Sequence, residues 1–447
     1  MKSKTARTIR SSKHFFKKDL NTGKSENLVL FLNECNRVLK IMIDHIWHEG
    51  VSWEVINKKT GIKTTKICCP SRGYFDTPKY FDYKVLKTKT DLSARALSSL
   101  TSIAMGMISS SVKKHSKRLY RLEQLKNDPM PDLKNIARLE NKIKKNRPKI
   151  PTIRDVPIEL SSKCAMLIEK DGEFNYFLKL KSIGKAYGNI WIPIKKHKHS
   201  NKLLNQNGKL LGSFLISKDR VDLRWEISIP EKKENGIVVG GDTGKNTLLT
   251  LSNETSTDQV RDLHGHDLNS IIEKLARKKK GSKSFAKAQQ HRTNFINWSI
   301  KQINLVGIKE LRLEKVSNVF YKNSYSRKMS HWKNAEIEKA IEKACESNGV
   351  LLIYQDSTYR SQRCSNCGFV RKANRKGKSY KCKCCGFHLD ADLNGSKNHA
   401  ITLPDFPVSL RRLKLNRKGF YWKPEGFFNL DGSELRVPNS PKEKFLS

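Results

Sequence analysis

Four of the ten cysteines fall into two equally spaced pairs, Cys364/Cys367 and Cys382/Cys385, within the hydrophilic stretch from Thr358 to Ala400. Each pair is followed by a glycine (Gly368, Gly386), the residue that permits the tight backbone turn of a metal knuckle. Four thiolates on two such turns make a closed tetrahedral Zn²⁺ site, structural because no coordination position is left open. Buried free cysteines are the ordinary alternative, but they do not account for two CxxCG repeats in a polar stretch. Cys384 would form only a CxC pair with Cys382 and is read as a spare thiol. Cys68 and Cys69 are adjacent, have no CxxC partner nearby, and are not read as ligands. From Tyr359 to Lys383 there is no acidic residue, whereas Arg360, Arg363, Arg371, Lys372, Arg375, Lys376 and Lys378 are all present, followed by Lys381 and Lys383. These cations are candidates for holding a nucleic-acid strand.

Directly after the second pair comes LDADLNGSKN. The order CSNCG, YKCKCCG, DADLNGSKN resembles the carboxy-terminal end of the TnpB family, transposon-encoded RNA-guided nucleases related to the type V CRISPR effectors. The resemblance implies an RNase H-like (RuvC) nuclease core with a zinc ribbon inserted late. It makes the Asp two residues before the first Asn, Asp392, catalytic. Upstream, GIVVGGDTGKNTLLTLSN reads as strand, turn, strand, with Asp242 at the end of the first strand. Alone, that turn says little, because Asp and Gly are ordinary turn residues; it matches the first motif of the family. IKELRLEKV reads as a strand ending at Glu314, which matches the second motif, with Glu310 as the fallback and a plain surface Glu as the bland reading. Asp390 is the nearest decoy for Asp392.

Asp242, Glu314 and Asp392 converge only in an RNase H-like fold. Three hard oxygen donors suit Mg²⁺, with Mn²⁺ as a substitute, and two such ions about 3.5–4 Å apart would clamp a scissile phosphate. The third motif departs from the family pattern at Gly395 and His399, which are expected to loosen the packing of its helix.

The composition points to the same partners. Lys and Arg number 88 against 43 Asp and Glu, a formal net charge of +45. Self-repulsion on that scale calls for a polyanion, and nucleic acid is the natural one. An acidic membrane surface is the rival, but there is no apolar run long enough to span, no signal peptide and no lipidation motif. The cysteines do not form a disulfide framework, so a reducing compartment, the prokaryotic cytoplasm, is expected.

The elements that would position these residues divide the 447-residue chain into an α+β multidomain protein. Residues 1–25 contain a short strand. Apolar residues at helical spacing (Leu28, Leu32, Cys35, Leu39, Met42, Ile46) predict a helix over 26–47. The aromatic-rich segment that follows, CCPSRGYFDTPKYFDY, is read as loop with packing aromatics. Helices over 93–126 and 133–145, separated by Pro129 and Pro131, form a hairpin studded with Lys and Arg, an arm for tracking phosphates. From 151 to 235 short alternating strands take over, with IPIKKHKHSNK as a basic loop.

The resemblance implies that 1–25 and 151–235 together form a β-barrel wedge and that 26–150 is an inserted helical recognition lobe. Residues 236–357 and 389–403 would be the nuclease core, 358–388 the ribbon, and 404–447 a tail without a recognisable motif. On the resemblance, the chain is expected to be an RNA-guided DNA endonuclease, monomeric or homodimeric. Its partners would be a guide RNA and double-stranded target DNA beside a short flanking motif. A guided binder that does not cut, and a transposon nuclease that needs no RNA, are the alternatives.

Overall fold

In a computed structural model the chain divides into two compact units, Arg7–Ser228 and a second made of Met1–Ala6 with Ile229–Ser447. The residues described are 6–51, 55–56, 63–64, 86, 88–128, 131–244, 247–258, 260–315, 327–407, 410–411 and 413–435. Cys68, Cys69, the aromatic-rich segment around them and Pro129 lie outside these residues.

In the first unit the strand Arg7–Phe15 pairs antiparallel with Arg220–Ser228, which continues through Lys209–Ile216 to Ile158–Ser161. A separate antiparallel sheet joins Ala165–Glu169, Tyr176–Leu180 and Ile190–Ile194. The basic stretch read as a loop is in fact the end of that last strand plus a short helix, Lys198–Asn205. His197 and Ser200 cap this helix reciprocally, which ends the exposed backbone a loop would have left. Helices Thr22–His45 and Ala94–Lys126 start on Asn21 and Ser93, whose side chains accept the orphan amides of the first turn.

The strands and helices of this unit share one hydrophobic core, in which Leu39, Leu97 and Ile108 join Leu178, Ile192 and Trp225. These helices and strands are packed as one compact unit. Helix Ala94–Lys126 has 33 residues and is about 50 Å long, but its buried positions end at Val112. Its distal half pairs with Leu133–Lys145, none of whose residues is buried.

The second unit is built on a four-stranded mixed sheet ordered Thr250–Leu251, Ile237–Asp242, Ile308–Glu314, Leu351–Gln355. The last three strands run parallel, and parallel neighbours need crossover connections. Helices Leu268–Ala276 and Lys283–Lys301 supply the first crossover, and Asn334–Ser347 the second. Ile271, Ile296, Ile300, Ile337 and Ile341 from these helices pack on Val239, Leu311 and Leu313 of the sheet. Among the described residues, no helix is long and apolar enough to cross a membrane.

Candidate active site and metal centre

Strands Ile237–Asp242 and Ile308–Glu314 are parallel, with Gly241 opposite Leu313. Asp242 and Glu314, each the last residue of its strand, therefore emerge side by side at the carboxyl edge of the sheet, where open parallel sheets present ligand sites. The third carboxylate arrives on helix Ala391–Ala400, which packs on strand Ile237–Asp242. That approach depends on missing side chains. A Cβ at Gly240 would overlap the carbonyl of Ser396, and one at Gly395 would come 2.8 Å from Asp242 Oδ2.

Gly395, expected to loosen the helix, is thus what lets it close on Asp242. A Gly395→Ala variant should keep the fold and lose about 10–100-fold in any activity of this cluster, because the helix or the carboxylate must shift. Matched circular-dichroism spectra with a reduced rate would bear this out; an unchanged rate would refute it.

Electrostatics records the same convergence. Burial, then the charges of Glu314 and Asp392, push the Asp242 carboxyl up to about 8. Glu314 is also raised, first by burial, while hydrogen bonds from Thr243 and shared with Asp242 oppose the rise. Asp392 is raised by burial and by Asp390, against Arg375 and Lys378. Three carboxyls held above their ordinary range, with few cations to offset them, form a site that lacks positive charge. The oxygens of Asp242 and Glu314 at the strand ends, with the Asp392 charge acting on Asp242, are hard donors of the class Mg²⁺ or Mn²⁺ takes.

The decoys are occupied elsewhere. Asp390 caps the helix, accepting from the amides of Asp392 (2.9 Å) and Leu393 (3.1 Å). Glu310 pairs with Arg312, which also donates to the Ala400 carbonyl and to Thr402, tying the far end of the helix to the sheet.

The cysteines meet as their spacing predicts. Sγ of Cys364 lies 3.8 Å from that of Cys385, and Sγ of Cys367 lies 3.7 Å from that of Cys382. Zn–S bonds of about 2.3 Å in a tetrahedron set sulfurs about 3.75 Å apart, so the four fit zinc. Both turns close through the following glycine, Gly368 N–H to the Cys364 carbonyl and Gly386 N–H to the Cys382 carbonyl. Gly368 and Gly386 have φ of +80° and +74°, which a side chain would strain. Cys384 is exposed, stands outside the quartet, and faces the Tyr421 hydroxyl at 3.0 Å.

The basic residues of the ribbon separate into three groups. Arg360 and Arg363, expected to bind nucleic acid, are buried instead. Arg360 donates to the carbonyls of Asp356 and Asn398, and Arg363 to those of Trp422 and Cys364 and to Asn398 Oδ1. Their donors are spent inside the protein. Arg375 pairs with Asp392 at 3.2 Å and Lys378 with Asp258 at 3.0 Å, so both point at acids. Lys372 and Lys376 are exposed and Arg371 half-buried, free of any such acidic pairing among the described residues.

Two residues the sequence reading passed over complete the arrangement. Asn394 bonds the Arg363 carbonyl and the Ser365 amide, while Asn398 reaches the carbonyls of Arg360 and Arg363. Their spacing of four along one helix was the available signal. Within the described part of the tail, Phe420–Lys423 pairs with Phe369–Val370 and with Gly426–Phe428, giving a small core of Val370, Leu410, Phe420, Trp422 and Phe427. His399 is buried and neutral, desolvation pushing it down to about 3, and it contacts Gln355.

Residues 335–399 match the family described as Cas12f1-like, TNB domain. Over this segment the chain resembles the compact type V effectors. It is 29% identical over 140 residues to the CRISPR-associated endodeoxyribonuclease Cas12f1 of Sulfoacidibacillus thermotolerans, covering 31% of this chain and 32% of that protein. To the Cas12f1 of Syntrophomonas palmitatica it is 24% identical over 126 residues, covering 28% and 24% respectively. The matched stretch thus spans about a third or less of these relatives. Among solved structures, a Cas12f1–sgRNA–target DNA complex aligns with 88% of this chain and 99% of its own, at 14% identity and a TM-score of 0.46. The mini-RNA-guided endonuclease CRISPR-Cas phi3 aligns with 90% and 93%, at 10% identity and a TM-score of 0.46.

Proposed function

We propose that this protein is an RNA-guided DNA endonuclease whose cutting site is Asp242, Glu314 and Asp392. The observation that supports the reading is that Asp242 and Glu314 end neighbouring parallel strands beside the glycine-packed helix that carries Asp392, whose charge acts on Asp242. The mixed sheet with its late cysteine insert is read as an RNase H-like core carrying a zinc ribbon. The three carboxylates would hold the catalytic Mg²⁺ or Mn²⁺ ions. When bound, two such ions supply an activated water and stabilisation of the leaving oxygen in an in-line displacement.

The chain's own groups do the rest. The sheet edge and helix keep the carboxylates in place without reorganisation, and burial excludes bulk water. Arg375, paired with Asp392, stands beside the site where a phosphate would be held. Arg371, Lys372, Lys376 and Lys378 hold the DNA backbone. In the first unit, the exposed helical arm binds the guide RNA through phosphates, and the guide selects DNA by pairing beside a short flanking motif. A prokaryotic cytoplasm suits these partners.

Neutralising Lys113, Lys114, Lys117, Lys142 and Lys144 of the arm together should weaken RNA binding about tenfold or more at low salt and flatten its salt dependence. Filter binding across a salt series measures this, and an unchanged slope would remove the arm from the RNA site.

The reading is tested by plasmid cleavage with protein co-expressed with its own locus, alongside Asp242→Ala and Asp392→Ala. Mg²⁺-dependent cutting lost in both variants is expected. A discrete RNA and guided target binding with no cutting by the wild type would leave a guided binder instead. Cutting without any RNA would leave a transposon nuclease.

A further inference from the structure

Apart from the carboxylate cluster and the four cysteines, one group of side chains in the second unit has the makeup of a metal site. Asp262 and His266 lie in the loop leading into helix Leu268–Ala276, and His291 is on helix Lys283–Lys301. The loop is closed by its own backbone. Asp262 N–H donates to the His266 carbonyl (3.0 Å) and Gly265 N–H to the Asp262 carbonyl (2.9 Å), with Gly265 at φ +75°. Asp262 Oδ1 accepts the amides of His264 and His266, each at 2.9 Å, which fixes the carboxylate before any ligand arrives.

Both imidazoles are aimed at that carboxylate. His291 Nε2 lies 2.7 Å from Asp262 Oδ2, and His266 Nδ1 lies 3.3 Å from Oδ1. The two rings are 5.7 Å apart and nearly perpendicular, at 88°. One donor atom from each of the three residues falls within 4.8 Å of the others. Metal–ligand bonds of about 2.0–2.1 Å in a tetrahedron place donors about 3.3 Å apart, so small side-chain movements suffice to close the set. The side chains of His266 and His291 are 32% and 31% exposed, which leaves room for a water in the fourth position.

We propose that Asp262, His266 and His291 bind one divalent ion of the zinc class, through two imidazole nitrogens and one carboxylate oxygen. Two imidazoles exclude Mg²⁺ as the preferred occupant and favour zinc. The ion would pin the loop to helix Lys283–Lys301. It is independent of the four-cysteine zinc in ligands and of the carboxylate cluster in chemistry.

Untagged full-length protein, dialysed against a small excess of Zn²⁺ in millimolar Mg²⁺ to keep zinc off the carboxylate cluster and assayed by plasma mass spectrometry, should hold two zinc ions per chain, one for each ligand group. His291→Gln, which keeps a donor to Asp262 and hence the metal-free contact, should hold one and retain its circular-dichroism spectrum. His266→Ala combined with His291→Ala should also hold one. A wild type with a single zinc, lost in Cys367→Ser and kept in His291→Gln, would overturn the proposal. So would two zinc ions retained in the double variant.

Discussion

Asp242→Asn is expected to abolish cleavage and to stabilise the metal-free protein at the same time. The lost oxygen donor should reduce the rate about 10³-fold or more, because metal-assisted stabilisation of the transition state contributes several kcal/mol. The stability effect follows from proton linkage. In the fold the Asp242 carboxyl is raised from 3.8 to about 8 by burial and by its acidic neighbours. Between about pH 4 and pH 8 the folded form therefore binds more protons than the unfolded chain, and stability falls as pH rises through that window. Below it both states are protonated and nothing is lost.

The amide carries no charge to desolvate, so the variant should melt higher at pH 8 by roughly 2 kcal/mol, about 4–8 °C, and equal the wild type near pH 4. Mg²⁺ should reverse the order by raising the melting temperature of the wild type and leaving the variant nearly unmoved. Calorimetry across pH, with and without Mg²⁺, tests both halves. A variant that melts lower than wild type at pH 8 without metal would mean that Asp242 is compensated by groups this account omits.

Cys367→Ser, or chelation of the four-cysteine metal, should cost on the order of 5 kcal/mol of local stability. The figure sits below that of isolated zinc fingers because the tail strands give the ribbon apolar support of their own. The loss should not stay local. Arg360, Arg363, Asn394 and Asn398 form one buried network joining the first knuckle to helix Ala391–Ala400, and that helix carries Asp392. Hydrogen exchange should therefore show deprotection across residues 360–400, while strands Ile237–Asp242 and Ile308–Glu314 stay protected. Cleavage should fall with the exchange. Deprotection confined to residues 364–386 with full activity would show that the knuckle does not position the helix.

The parts of this molecule that follow from short-range chemistry were readable in the chain. CxxCG turns demand their glycines, strands that end in Asp242 and Glu314 show their apolar alternation, and Leu133–Lys145 has the helix bounds its prolines and Lys run predict. Features set by distant partners were not. Nothing near Arg360 or Arg363 reveals that Trp422 and Asn398 will take their donors, so both looked like free cations. Gly395 read as a defect because its neighbour, Asp242, is distant in sequence. The tail looked motif-free because its aromatics act collectively as a small core and as the edge partner of Phe369–Val370.

The placement of Asp392 on a helix backed by the last strands has a consequence for synthesis. Asp242 leaves the ribosome about 7–30 s before Asp392, at ordinary rates of chain elongation. Trp422, whose carbonyl receives Arg363, emerges later still. Between Glu314 and Asp392 a nascent chain thus holds two of its three acids and no means of assembling the third. Competence that waits on the segment after Asp392 would delay any cutting until that segment has been made. A product truncated just before Phe420 would carry every acid and every zinc ligand, yet should stay inert.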